Sequence, residues 1–241
     1  MFVSQAKYFN DLKGDLKEGE VIIVADFSEN YAFVVQDCIQ GFYLSNRQAT
    51  LHPFSCYYKD SETGDAKQLS FAVISDHLDH STVAVHAFIK KLLPELEMIV
   101  GQLDKVYYFS DGCAGQYKNK YNISNVWYHE KDFNVKGEWH FFATSHGKSA
   151  CDGIGGTIKR LALVFSLQHK QPGEQITSPQ RLYEWALSHL SNKLKFLWVS
   201  SHDVKESESF LEIRFKTADS IEGIRSPHAI IPCVNEKICV G

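Results

Sequence analysis

The run VIIVADF at residues 21–27 decides how the rest of the chain is read. Val21, Ile22, Ile23 and Val24 are all β-branched and no polar residue alternates with them, so the run predicts a strand buried on both faces. Such a strand belongs to a sheet with helices packed against each side, and this one delivers a carboxylate, Asp26, at its carboxyl end. Working outward, residues 5–18 intersperse charges among Tyr8, Phe9, Leu12 and Leu16, which predicts a short helix. Residues 28–43 are ambiguous: Ser28 can cap a helix over 29–39, while Phe33, Val34 and Val35 would also suit a strand. A short helix is the expectation there.

Residues 49–59 and 68–75 are rich in Thr, Phe, Tyr and Val and are separated by the polar segment DSETGDAK, so they should pair antiparallel. Ser81-Thr82 opens a helix over 83–100, where Val85, Phe88, Ile89, Leu92, Leu93 and Leu96 recur at helical spacing and Pro94 is expected to kink or interrupt. KVYYFS (105–110) is a further strand, ending directly at Asp111-Gly112, and 115–128 reads as helical. EWHFFAT (138–144) is the next strand. A loop containing His146 leads into a helix from Ala150, despite Gly153, Gly155 and Gly156, each costing about 1 kcal/mol against Ala. Ser178-Pro179 starts another helix, to about His189. Beyond it, 196–200, 210–215 and 229–232 read as strands, with DVKESES (203–209) as a charged turn. The class is α/β, a mixed sheet flanked by helices.

The 241 residues suit one domain, and 44% hydrophobic against 22% charged residues excludes disorder as the main state. A net charge of −4 excludes a strongly basic chain. No apolar run approaches the roughly 20 residues of a membrane span, and the N-terminus lacks a signal-peptide core. The expected location is therefore nuclear or cytoplasmic. Six cysteines without a CxxC are too sparse for a disulfide scaffold, so reduced thiols are expected.

Three acids stand beside small residues at element boundaries: Asp26 in VADFSENY, Asp111 in YFSDGCAGQYKNK, and Asp152 in HGKSACDGIGGTIKR. Carboxylates brought together repel unless a divalent cation neutralises them, and hard oxygen donors suit Mg²⁺ or Mn²⁺. The order of elements and these acids resemble the ribonuclease-H-like catalytic core of DDE/D transposases and integrases, and the wording of the blocks is similar to transposon-derived animal proteins. The resemblance spans roughly residues 20–190, leaving 191–241 as a C-terminal extension. It implies that Asp26, Asp111 and Asp152 are catalytic and metal-binding, and that the reaction is metal-dependent DNA phosphodiester cleavage followed by strand transfer. The expected partners are DNA and further copies of the chain in a homo-oligomer, with no membrane. About 20 residues before Val21 are too few for a separate DNA-binding domain, which points to a truncated or domesticated derivative or a fragment. A catalytically decayed DNA- or protein-binding module stays open as the second function, and a hydrolase of RNA or small phosphoesters as a third.

Around the acids, Asp152, Gly155, Gly156 and Lys159 share a helix face, so small residues there would let the helix approach the sheet. Lys159 and Arg160 are candidate phosphate contacts, as are Gln116, Lys118 and Lys120 in the Gly-rich segment after Asp111 and Lys148 in the loop. For each, a solvated surface or mere packing is the plainer alternative. His146 is the candidate proton shuttle or phosphate contact. DHLDHSTVAVH (76–86) has metal-ligand residue types, yet Asp and Ser there are what a helix start needs, and the cap is preferred. Glu29 serves equally as an extra carboxylate or a cap. Cys113, Cys151 and His146 lack zinc-site spacing.

Overall fold

The computed structural model describes residues 2–34, 47–142, 150–169, 174–219, 223, 226, 228–232 and 238–240, with backbone alone at 2–4 and 238–240. The fold is α/β, a ribonuclease-H-like mixed sheet flanked by helices. The buried run forms β1 (Glu20–Ala25), which lies between β3 (Gln48–Lys59), antiparallel, and β5 (Lys105–Ser110), parallel. β4 (Ala66–Ser75) continues beyond β3 as an antiparallel partner, and β6 (Lys136–Phe141) lies parallel to β5. The C-terminal stretch extends both ends of this sheet. β7 (Lys195–Val199) adds parallel to β4, and β8 (Ala229–Pro232) adds antiparallel to β6 and carries β9 (Ile238–Val240).

Strand residues alternate between two cores. Val21, Ile23 and Ala25 face α2 (Thr82–Val100) through Ala84, Phe88, Leu92 and Leu96, whereas Ile22 and Val24 face Phe9, Leu12 and Leu16 in and just after α1 (Phe2–Asp15). Farther along the sheet, Leu51, Ala72 and Ile74 bury against Ile154 and Ile158 of α5 (Ala150–Gln168) and Leu182 and Ala186 of α6 (Pro179–Leu190). This two-sided burial is why β1 carries no polar alternation. Among the described residues no helix is long and apolar enough to cross a membrane.

Four local expectations are corrected. The segment after Asp26 opens with a strand, β2 (Ser28–Ala32), paired irregularly with β3; Tyr31 buries beside Leu51, and burial outweighs the capping potential of Ser28. Residues 35–43 of that expected helix lie outside the described residues. Pro94 neither breaks nor ends α2, whose start is capped by Ser81, accepting from the Ala84 N–H at 3.3 Å. The helix expected over 115–128 is confined to α3 (Lys120–Trp127), followed by the short α4 (His129–Phe133). Residues 203–215 are a helix, α7 (Ser201–Lys216), instead of a turn and strand. Ser200 and Asp203 form a reciprocal capping box at its start, and Val204, Ser207 and Leu211 bury at helical spacing. Phe210 and Ile213, which suggested a strand, are 57% and 77% exposed.

Candidate active site

β1 and β5 run parallel in a register that pairs Glu20 with Lys105 and Val24 with Phe109. Continued by two residues, that register sets Asp26 beside Asp111, one strand spacing of about 4.8 Å away along the backbone. On its other side β1 ends at the Ala25–Phe54 pair, and the same register runs on past Pro53 to the Ser28–Leu51 pair that starts β2. The Pro53 carbonyl accepts the Asp26 N–H at 3.5 Å, so the N–H that proline lacks falls on the β1 side and leaves the β4 ladder intact. Asp111 is oriented by the Cys113 N–H, which donates to its Oδ1 at 3.1 Å. Behind it, the Trp139 indole N–H donates to Ser110 Oγ at 2.9 Å, and the Ser110 hydroxyl donates to the Asp111 carbonyl at 2.9 Å.

Asp152 arrives from the third element. The buried Cys151 thiol donates to the Val24 carbonyl at 3.4 Å, pinning the first turn of α5 against β1. A Cβ on Gly155 would fall 2.6 Å from Ser28 Oγ and 2.9 Å from Ser28 Cβ, so the helix crosses β2 too closely for any other residue. Gly153 and Gly156 would meet nothing within 4 Å; close approach explains one glycine of the three.

The three carboxylates share one electrostatic neighbourhood. Asp26 is half-buried, and burial, then the charges of Asp111 and Asp152, raise its pKa from 3.8 to about 6; the Phe27 N–H partly opposes this. Asp111 and Asp152 are exposed. A hard-oxygen trio that destabilises its own negative charge has the donor chemistry for a divalent cation. Even so, among the described residues no group of three or more His, Cys, Asp or Glu side chains is arranged to hold a metal ion.

The expected phosphate contacts divide. Lys118 stays with the acids: its stem lies 3.6 Å from where a Gly112 Cβ would be, its ammonium stands 5.2 Å from the Phe141 ring centroid, and burial lowers its pKa. Burial likewise lowers the pKa of Lys159, against the attraction of Glu29, which is therefore a counter-charge on this face. Lys120 instead donates to the Ala218 carbonyl at 2.8 Å and ties α3 to the end of α7. Its helix start is no anion cradle, because the Asn119 side chain accepts from the Tyr121 and Asn122 N–H groups. The main-chain carbonyl of Gln116 accepts from the Thr82 hydroxyl at 2.9 Å, which fixes the backbone there and leaves its side chain uncommitted by that bond. Arg160 lines a separate groove between α5 and α6. His146 and Lys148 lie outside the described residues.

Two further groups come together here: the His52–Tyr117 pair, which no motif announces, and His80, whose segment 76–86 reads as a helix start and gives no sign of its partner Asn30. The buried Tyr117 hydroxyl and His52 Nε2 are 2.8 Å apart; burial raises the Tyr117 pKa well above its usual value, and the charges of Asp26 and Asp111 add to this. Burial also pushes the His52 imidazole down to about 3, so it is neutral. His80 stacks on Phe27 with centroids 4.2 Å apart. Asn30 donates its amide to the Leu78 carbonyl at 3.2 Å, which leaves its Oδ1 to accept from His80 Nε2 at 2.7 Å. Nε2 therefore carries the proton, and in the neutral ring, which burial favours, the lone pair is on Nδ1. Only the folding of β2 onto the loop before α2 reveals this pairing.

A family model described as "Domain of unknown function (DUF8701)" matches residues 5–241. No curated protein matches the chain. Among solved structures, "Crystal structure of NurA bound to dAMP and manganese" aligns at 12% identity over 80% of this chain and 43% of that one, with a TM-score of 0.17.

Proposed function

The chain belongs to this family, whose description names no activity, and from the site itself we propose a transposase- or integrase-like protein in which three aspartates support divalent-cation-dependent DNA cleavage and strand transfer. The observation that carries this reading is the β1–β5 register, which sets Asp26 beside Asp111, together with the Cys151–Val24 bond that brings in α5 and Asp152. Asp26, Asp111 and Asp152 would hold Mg²⁺ or Mn²⁺, which supplies Lewis acidity at a phosphoryl oxygen and lowers the pKa of bound water. The paired strands end just before the first two acids and aim them from adjacent ends, and the Cys113 N–H keeps Asp111 from rotating away. Lys118, packed against Gly112, and Lys159, on the helix that carries Asp152, are the cations that would offset phosphate charge. A neutral His80 with its lone pair on Nδ1 can accept a proton on this side.

Supercoiled DNA incubated with the protein and Mn²⁺ should be nicked, and Asp111→Asn should reduce nicking on the order of 100-fold or more, as losing a metal ligand exceeds the cost of losing its supporting partners. Absence of nicking by the unaltered chain at every Mg²⁺ and Mn²⁺ concentration would reject the reading. The absence of a closed ligand set among the described residues favours a second one, a domesticated module that binds DNA or protein without cleaving. Salt-dependent DNA binding without nicking, unchanged in Asp111→Asn, is the result it requires.

A further inference from the structure

Gly153 is a poorer helix former than Ala, and no neighbour uses the room it leaves. That room opens into a cavity of about 580 Å³ between α5, the end of α6 and the first half of β4. Ligand pockets typically span about 300–1,000 Å³. Its apolar lining is aliphatic: Ile154 and Leu190 are buried, Leu161 and Leu194 half-buried. Among the described residues the charged side chains lining it are Arg160 and Lys193, both exposed and cationic, and none of the described lining residues is a carboxylate. Among the described residues neither cation enters an ion pair.

We propose that this groove docks a peptide segment of a partner protein in which an aliphatic side chain adjoins one or more carboxylates. The aliphatic floor takes the side chain, and charge complementarity with Arg160 and Lys193 selects the acid. A nucleotide is disfavoured because bases seek aromatic faces. Among the described lining residues His189 is the one ring, and Phe165 and Trp185 already pack against it at centroid distances of 5.2 and 5.5 Å. The inference is independent of the phosphodiester reading, since none of the three aspartates lines the groove.

Fluorescence anisotropy with the full chain tests it, using a fluorescein-labelled Leu-Glu-Leu-Leu-Glu peptide and its Leu-Lys-Leu-Leu-Lys counterpart. The acidic peptide should saturate in the micromolar range and the basic one bind at least about tenfold more weakly. Gly153→Leu fills the groove where a Cβ meets nothing; it should keep its thermal melting point yet lose about tenfold or more in acidic-peptide affinity, as should Arg160→Glu. Equal binding of the two peptides, undiminished binding by Gly153→Leu, or no acidic-peptide binding at millimolar concentration would overturn the proposal. So would Gly153→Leu-sensitive saturation by octanoate or oligothymidylate in the absence of acidic-peptide binding.

Discussion

Asp26 and Asp132 are both largely withdrawn from water, and their neighbours give them opposite meanings. The Asp132 side chain is 6% exposed and meets Arg214 through two charge-assisted bonds of 2.7 and 2.8 Å, with Asn125 accepting a third from the same guanidinium. That geometry joins α7 to α3 and α4, and the Arg214 plane also lies 4.5 Å from the Tyr128 ring centroid. Among the described residues the charged neighbours that shift Asp26 are Asp111 and Asp152, and its carboxyl is pushed up to about 6. One end of the molecule resolves a buried charge within the fold. The other gathers like charges at a strand end, where a carboxyl pushed up by its acidic neighbours is what a ligand can exploit.

The sharpest way to break this contrast is Asp132→Ala. Leaving the Arg214 guanidinium buried without its carboxylate should cost about 3–5 kcal/mol in urea denaturation, and a loss under about 1 kcal/mol would remove Asp132 from the structural class. Next in size is Gly155→Ala, whose Cβ collides with Ser28; overpacking of this kind costs about 1–3 kcal/mol.

Asp26→Asn should run the other way. Because the folded-state pKa lies above the unfolded value, the ionised carboxylate opposes folding, and stability falls as pH rises from about 4 to about 6. Replacement by Asn should therefore stabilise by about 1 kcal/mol at pH 8, a figure already reduced for solvent screening, and by nothing at pH 3.5. Equal effects at both pH values would show that Asp26 is not held against its charge. The smallest effect is expected for Gly156→Ala, which meets no atom and should gain about 0.5–1 kcal/mol from helix propensity. A loss there would mean that α5 packs more tightly along the acid face than its crossing of β2 requires.

Much of the architecture is legible in local pattern. β1, β5, the β3–β4 hairpin, α2 and α6 all follow from periodicity and breakers, and both strand-borne acids stand where the apolar runs stop. The errors fall where local signals compete. Ser28 offered a helix cap, but Tyr31 had a core position to fill in a strand; Phe210 and Ile213 imitated a strand, while the quieter Ser200–Asp203 box set a helix. The His52–Tyr117 pair was invisible because the two residues lie 65 positions apart and meet only across the end of the sheet.

Chain chemistry alone determined which segments must be buried on two faces and which carry an acid at their ends, because hydrophobic periodicity and backbone propensity act over a few residues. Whether those acids become neighbours was decided by the parallel β1–β5 register and by a thiol and a glycine that hold α5 against the sheet. Strand pairing and close packing join residues far apart in the chain, so their outcome depends on the whole core and is written in no single stretch of it.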